Sequence, residues 1–166
     1  MPVSTTIQVV GVKDTINALR KIDPQLQKDF KAQATQIAEP AISAGKAVYT
    51  QVPLSGLSRN WTSRKRTPPQ KIRGFDVSRA KAGVQMKFDT RRNAVGVILI
   101  IQKDQAAAIF ETAGRKNANT LSANLEPVAV GRTRLIGPAV YRARKKIERE
   151  MQSMILDTIR KVQKDI

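Results

Sequence analysis

The run Val84-Gln85-Met86-Lys87-Phe88, followed after the polar turn Asp89 to Asn93 by Ala94-Val95-Gly96-Val97-Ile98-Leu99-Ile100-Ile101-Gln102, decides the fold. Val84, Met86 and Phe88 alternate with Gln85 and Lys87, the pattern of a half-buried strand. The second run carries Val95, Val97, Leu99 and Ile101 on one face of a strand and Ile98 and Ile100 on the other. A strand apolar on both faces belongs in the middle of a sheet with cover on each side, so the pair is expected to form a hairpin whose second strand is central. The cover has to come from helices elsewhere in the chain.

Toward the N-terminus, Ile7, Val9 and Val10 form a short β-like run that ends at Gly11. Asp14 is placed to cap a short helix whose apolar positions Ile16, Leu19 and Ile22 fall at helical spacing. Asp23-Pro24 then supplies a cap and a first-turn proline for a long amphipathic helix through Leu26, Phe30, Ala34, Ile37, Ala41 and Val48. Pro40 inside it removes one backbone hydrogen bond, which predicts a kink near Ala38.

From Pro53 to Arg79 neither period survives, and Pro53, Gly56, Pro68, Pro69 and Gly74 punctuate a stretch rich in Ser, Thr, Arg and Lys. It reads as a long loop or arm, poorly ordered until it meets something. Beyond the hairpin, Ala106 to Thr112 is a short helical or turn element, and Gly114 to Gly137 is a second irregular stretch. Gly137-Pro138 opens a final helix with an apolar stripe through Val140, Ile147, Met151, Met154, Ile155, Ile159 and Val162. The fold class expected is α+β in a single domain over 1–166: a small antiparallel sheet of about three strands, packed against a long kinked helix and a C-terminal helix, with a long basic loop.

Composition removes most chemistry. There is no Cys and no His among the 166 residues, so the commonest general base, metal ligand and thiol nucleophile are all absent. No phosphate loop, dinucleotide fingerprint or carboxylate cluster of metal-site spacing occurs. Glu111, beside Thr112 and Gly114, is a lone acid, best read as solvated or ion-paired. No catalytic residue, cofactor or metal is expected, and the protein reads as a binding or structural one. No apolar run is long enough to span a membrane and no leader is visible at the N-terminus, which suits a chain made and kept in a reducing cytoplasm.

The formal charge of +17 is the strongest compositional signal. Residues 53 to 93 hold 11 basic against 2 acidic side chains, more than half of the excess in a quarter of the chain. Arg59, Arg64, Lys65, Arg66, Lys71, Arg73, Arg79 and Lys81 are therefore the candidate contacts to nucleic acid or to an acidic protein, two partners that charge alone does not separate. Trp61, the only Trp, lies among them and can stack on a base or anchor in a partner's pocket. Phe110, Met151, Met154 and Ile155 are expected at a subunit interface, because the apolar stripe and the two-faced strand offer more apolar surface than one small sheet needs.

Several segments in order carry a family resemblance. An opening strand leads into Gly11-Val12-Lys13-Asp14-Thr15-Ile16-Asn17-Ala18-Leu19, and a long helix leads to Val52-Pro53-Leu54-Ser55-Gly56-Leu57 with Trp61 just beyond. After the hairpin come Ala108-Ile109-Phe110-Glu111-Thr112-Ala113-Gly114 and then Ile136-Gly137-Pro138-Ala139-Val140. This order resembles the tail-completion and head-tail joining proteins of long-tailed bacteriophages, which form the neck between capsid portal and tail tube. The resemblance spans nearly the whole chain and departs at Thr112-Ala113-Gly114, where the family tends to have Phe-Gly-Thr-like residues, and at the long insertion from Lys116 to Arg134. It implies a virion subunit in a homo-oligomeric ring of six or twelve copies, stacked on neighbouring neck or tail-tube proteins and possibly meeting genomic DNA. It also implies a caution about the charge, since neck channels are often acidic and a basic arm can grip a neighbouring ring instead of DNA. The rival reading is a basic nucleic-acid-binding module, such as a ribosome-associated protein, acting as a monomer.

Overall fold

A computed structural model describes residues 3–53, 55–63, 69–89, 97–113 and 132–164. At its centre lies β5 (Val97–Gln102), paired antiparallel with β1 (Val3–Gln8) on one side and β4 (Val84–Asp89) on the other. In register, Ile7, Ile98 and Phe88 form one row across the sheet and Thr5, Ile100 and Met86 the next. Ile7, Ile98 and Ile100 are fully buried in that face. The two-faced run thus does become the central strand, and the β4–β5 hairpin forms as its alternation predicts.

Helices follow the capping signals. Gly11, at φ +90°, turns the chain from β1 into α1 (Val12–Ile22) through a left-handed conformation that only glycine adopts freely. Asp14 lies in the first turn of α1 and is not its cap. The Asp23 carboxylate accepts from the Gln25 amide at 2.7 Å, with Pro24 at the first position of α2 (Pro24–Ala47). α2 passes through Pro40 as one helix, with the proline on its exposed side. The same device starts two shorter helices: Asp76 accepts from the Arg79 amide at the head of α3 (Val77–Gly83), and Asp104 from the Ala107 amide at the head of α4 (Gln105–Thr112). The last element is α5 (Ile136–Lys164).

Two expectations are corrected by this arrangement. Both long helices lie on the Ile98 and Ile100 face, not one on each side. A Cβ on Gly45 of α2 would stand 3.1 Å from Val84, and Thr5 bonds at 3.3 Å to Thr133, just ahead of α5. Val84 and Thr5 share that face. On the opposite face Ser4, Thr6, Gln85 and Lys87 are exposed, flanking a half-buried Leu99 and a buried Ile101. The second correction concerns the apolar stripe: Phe110, Met151, Met154 and Ile155, expected to face another subunit, are buried in the chain's own core with Phe30, Ile147 and Ile100. A helix laid across a three-stranded sheet and against a second helix already covers such a stripe, and each buried side chain of this size contributes about 1.5–3 kcal/mol.

The stretch from Pro53 to Arg79 is also more structured than its lack of period suggests. It contains a 3-10 turn (Ser55–Ser58), β2 (Trp61–Ser63), β3 (Gln70–Ile72) and the start of α3. Most of the second irregular stretch, 114–131, and the start expected for the second strand at Ala94 lie outside the described residues. Among the described residues no helix is long and apolar enough to cross a membrane.

Candidate functional site: a basic two-stranded ribbon

β2 and β3 pair antiparallel, with Trp61 opposite Ile72, Thr62 opposite Lys71 and Ser63 opposite Gln70. Alternation then sorts the ribbon into two faces. Ile72 is buried and Trp61 half-buried against the core, while Thr62 and Lys71 are exposed. Trp61 therefore anchors the ribbon to its own chain, and the partner-anchor role expected for it is corrected accordingly.

The base of the ribbon is clamped. The Phe75 amide donates to the Leu57 carbonyl at 2.6 Å, and the Gly74 amide donates to Asn60 Oδ1 at 2.8 Å. Gly74 passes so close to the chain at Ser58 that a Cβ there would lie 2.1 Å from the Ser58 carbonyl oxygen. Phe75 then reaches inward, its ring centroid 6.1 Å from that of Tyr49 and 6.3 Å from that of Phe110 in an edge arrangement. Leu57 and Phe75 are buried, so the ribbon grows out of the core and does not hang on a linker.

On this support Arg59, Lys71 and Arg73 are exposed and close together in the chain's fold, at the end of the 3-10 turn and along β3. Lys81 is exposed on α3. Arg79 is different: its guanidinium donates to the Gly74 carbonyl and lies 3.7 Å from the Asp104 carboxylate, so it braces the ribbon's base against α4. That corrects its assignment as a partner contact. Arg64, Lys65 and Arg66 lie outside the described residues. The chemistry available to the three exposed cations is that of anion binding: point and fork charges on a supported surface, able to meet phosphates or carboxylates.

A second polar constellation escaped the sequence reading. Glu111 is fully buried, not solvated. Its Oε1 accepts from the Tyr49 hydroxyl at 2.7 Å and its Oε2 from the Leu135 amide at 2.8 Å, with the Ile136 amide at 3.3 Å. The carboxylate thus sits at the head of α5, where unpaired amides and the helix dipole favour negative charge. In return Arg134 donates to the Phe110 and Ala113 carbonyls at the tail of α4 and lies 5.4 Å from the Phe110 ring centroid. Burial, then the Glu111 charge, push the Tyr49 phenol well above its ordinary range. Both Glu111 oxygens are occupied by the protein itself, so this node joins elements and does no turnover. The only hint in the sequence was a carboxylate closing an otherwise apolar run, Ala106-Ala107-Ala108-Ile109-Phe110-Glu111. Among the described residues no group of three or more Asp and Glu side chains comes together to hold a metal ion. No family model, no curated protein and no solved structure matches this chain.

Proposed function

We propose that the chain is a structural subunit of a phage neck, part of the ring assembly that joins a DNA-filled capsid to its tail, and that it works by binding and not by turnover. The observation that carries this reading is the ribbon: Arg59, Lys71 and Arg73 stand exposed on a two-stranded element clamped to the core at Leu57, Gly74 and Phe75. A rigid, outward-facing cluster of cations suits a lasting contact to an anionic neighbour, either an acidic ring or DNA, better than a transient one. The order of strand, helix pair, ribbon, hairpin, short helix and terminal helix supports the same reading, because it follows the order of segments that carries the family resemblance.

The test is the triple variant Arg59→Ser, Lys71→Ser, Arg73→Ser in the natural subunit's place. All three side chains are exposed, so thermal unfolding is expected to move by no more than about 0.5 kcal/mol. Joined particles are expected to fall sharply in yield, with free heads, free tails or lost DNA seen by electron microscopy, and the defect to worsen with salt. Fully infectious particles from a normally folded variant would overturn the proposal. Binding of RNA by a single copy, abolished by the same variant, would favour the nucleic-acid-module reading in its place.

A further inference from the structure

Exposed large apolar side chains are not scattered over this protein. Ile22 (53% exposed) and Ile159 (43%) face a common groove of about 300 Å³ between α1 and the last turns of α5, with Leu19 and Val162 also in its lining. Val10 (75%) and Leu156 (55%) continue the patch past the first turn of α1, where a Cβ on Gly11 would lie 3.9 Å from Ile155. Groove and ribbon belong to different elements: α1 and α5 form the one, β2 and β3 the other. A concentrated apolar patch of this kind on an otherwise charged surface marks a contact with another molecule.

We propose that this groove is a docking site for an amphipathic helix of another protein whose flanks are acidic. Shape points to a helix: the α1 wall runs from Asp14 to Ile22, about 12 Å at a helical rise, which matches roughly two turns of a helix laid into it with anchors at i, i+4 and i+7. Charge points to an acidic one. The turns that build the walls carry Arg20, Lys21, Arg160 and Lys161, all exposed, against Asp14 and Asp157, and Asp157 is already engaged by Arg160 at 3.6 Å. The rim is therefore net positive on a chain of charge +17. Two copies meeting groove to groove would bring like charges together around the apolar contact, a repulsion that an acidic partner converts into attraction.

The experiment uses the intact chain and two labelled synthetic helical peptides with Leu at i, i+4 and i+7, one with Glu and one with Lys at the intervening positions. Fluorescence anisotropy is expected to show the Glu peptide binding at least about tenfold more tightly than the Lys peptide, and weakening several-fold as salt rises from about 50 to about 500 mM. Ile22→Ser and, separately, Ile159→Asp should each weaken the Glu peptide at least about tenfold, with the thermal midpoint held within a few degrees because both positions are already largely exposed. The ribbon variant Arg59→Ser, Lys71→Ser, Arg73→Ser should bind the Glu peptide as the parent does. Loss of binding in that variant would overturn the proposal by moving the peptide to the ribbon, and would leave the neck reading untouched. Equal binding of both peptides, or of neither, would also overturn it. So would a concentration-dependent dimer of the chain alone in sedimentation, dissolved by Ile159→Asp, since the occupant would then be a second copy.

Discussion

Glu111 and Tyr49 are the residues on which the fold's closure depends most directly. Removing the carboxylate with Glu111→Ala leaves the Tyr49 hydroxyl and the Leu135 and Ile136 amides buried without an acceptor, a loss expected at about 3 kcal/mol or more in urea unfolding. Tyr49→Phe removes one donor and leaves the amides satisfied, so about 1–2 kcal/mol is expected. The pair also has a pH signature. The Tyr49 pKa is raised in the folded state, so its stabilisation is complete below the unfolded value of about 10 and is lost as pH climbs above it, where the unfolded chain ionises first. The gap in urea midpoint between wild type and Tyr49→Phe should therefore be constant from pH 7 to 9 and shrink above about pH 10. A gap independent of pH into that range would show that the phenol titrates normally. None of this was visible beforehand, because a carboxylate's burial depends on what lies 24 residues further along the chain and 62 residues earlier.

The ribbon is the element whose placement matters most for function, and its weakest point is a backbone contact. Gly74→Ala would drive a Cβ into the Ser58 carbonyl, a clash between two main-chain segments that costs about 1–3 kcal/mol unless the ribbon lifts away. The expected outcome is local: emission of Trp61, the only Trp, shifts toward the solvent-exposed range while the far-UV helical signal stays intact. An unchanged Trp61 spectrum with unchanged stability would show that the close approach is not needed. Strands of three residues offer a single alternation each, too little to stand out from a loop rich in Ser, Arg and Pro, which is why this element read as an unstructured arm. By contrast the α2, α3 and α4 starts were each written locally, in Asp23-Pro24, Asp76 and Asp104, although only the first was read as a cap.

For the molecule as a whole, the charge of +17 is a stability term as well as a binding one. The acids that are present are partly tied up in helix-surface pairs, among them Arg144 with Glu148 at 2.5 Å and Lys146 with Glu150 at 3.7 Å. The Glu148 contact holds the Arg144 guanidinium further toward its charged form. Exposed pairs of this type contribute little individually, so screening of the net repulsion should prevail over screening of the pairs. The thermal midpoint is expected to rise between about 20 and about 300 mM sodium chloride, where the Debye length drops below about 10 Å. A midpoint that fell with salt would mean that the specific pairs dominate. The apolar stripe of α5 belongs to this scale too: it seemed more than one small sheet needs, yet α2, α1 and the sheet together bury most of it.

What the sequence determined by itself was whatever is encoded in near neighbours: the alternation that makes β4, the doubly apolar run that makes β5 central, the helical stripes, the cap at Asp23, and the placing of most of the positive charge in one quarter of the chain. Only the tertiary structure decided which of those charges stand free and which brace the fold. Arg59, Lys71 and Arg73 are exposed while Arg79 is drawn to Asp104 and Gly74, and nothing in their local spacing distinguishes them. The same holds for Glu111 and for the side of the sheet that the helices cover. Local periods record which face of an element is apolar, but which surface meets that face, and which buried polar atom finds its partner, is set by contacts between residues far apart in the chain.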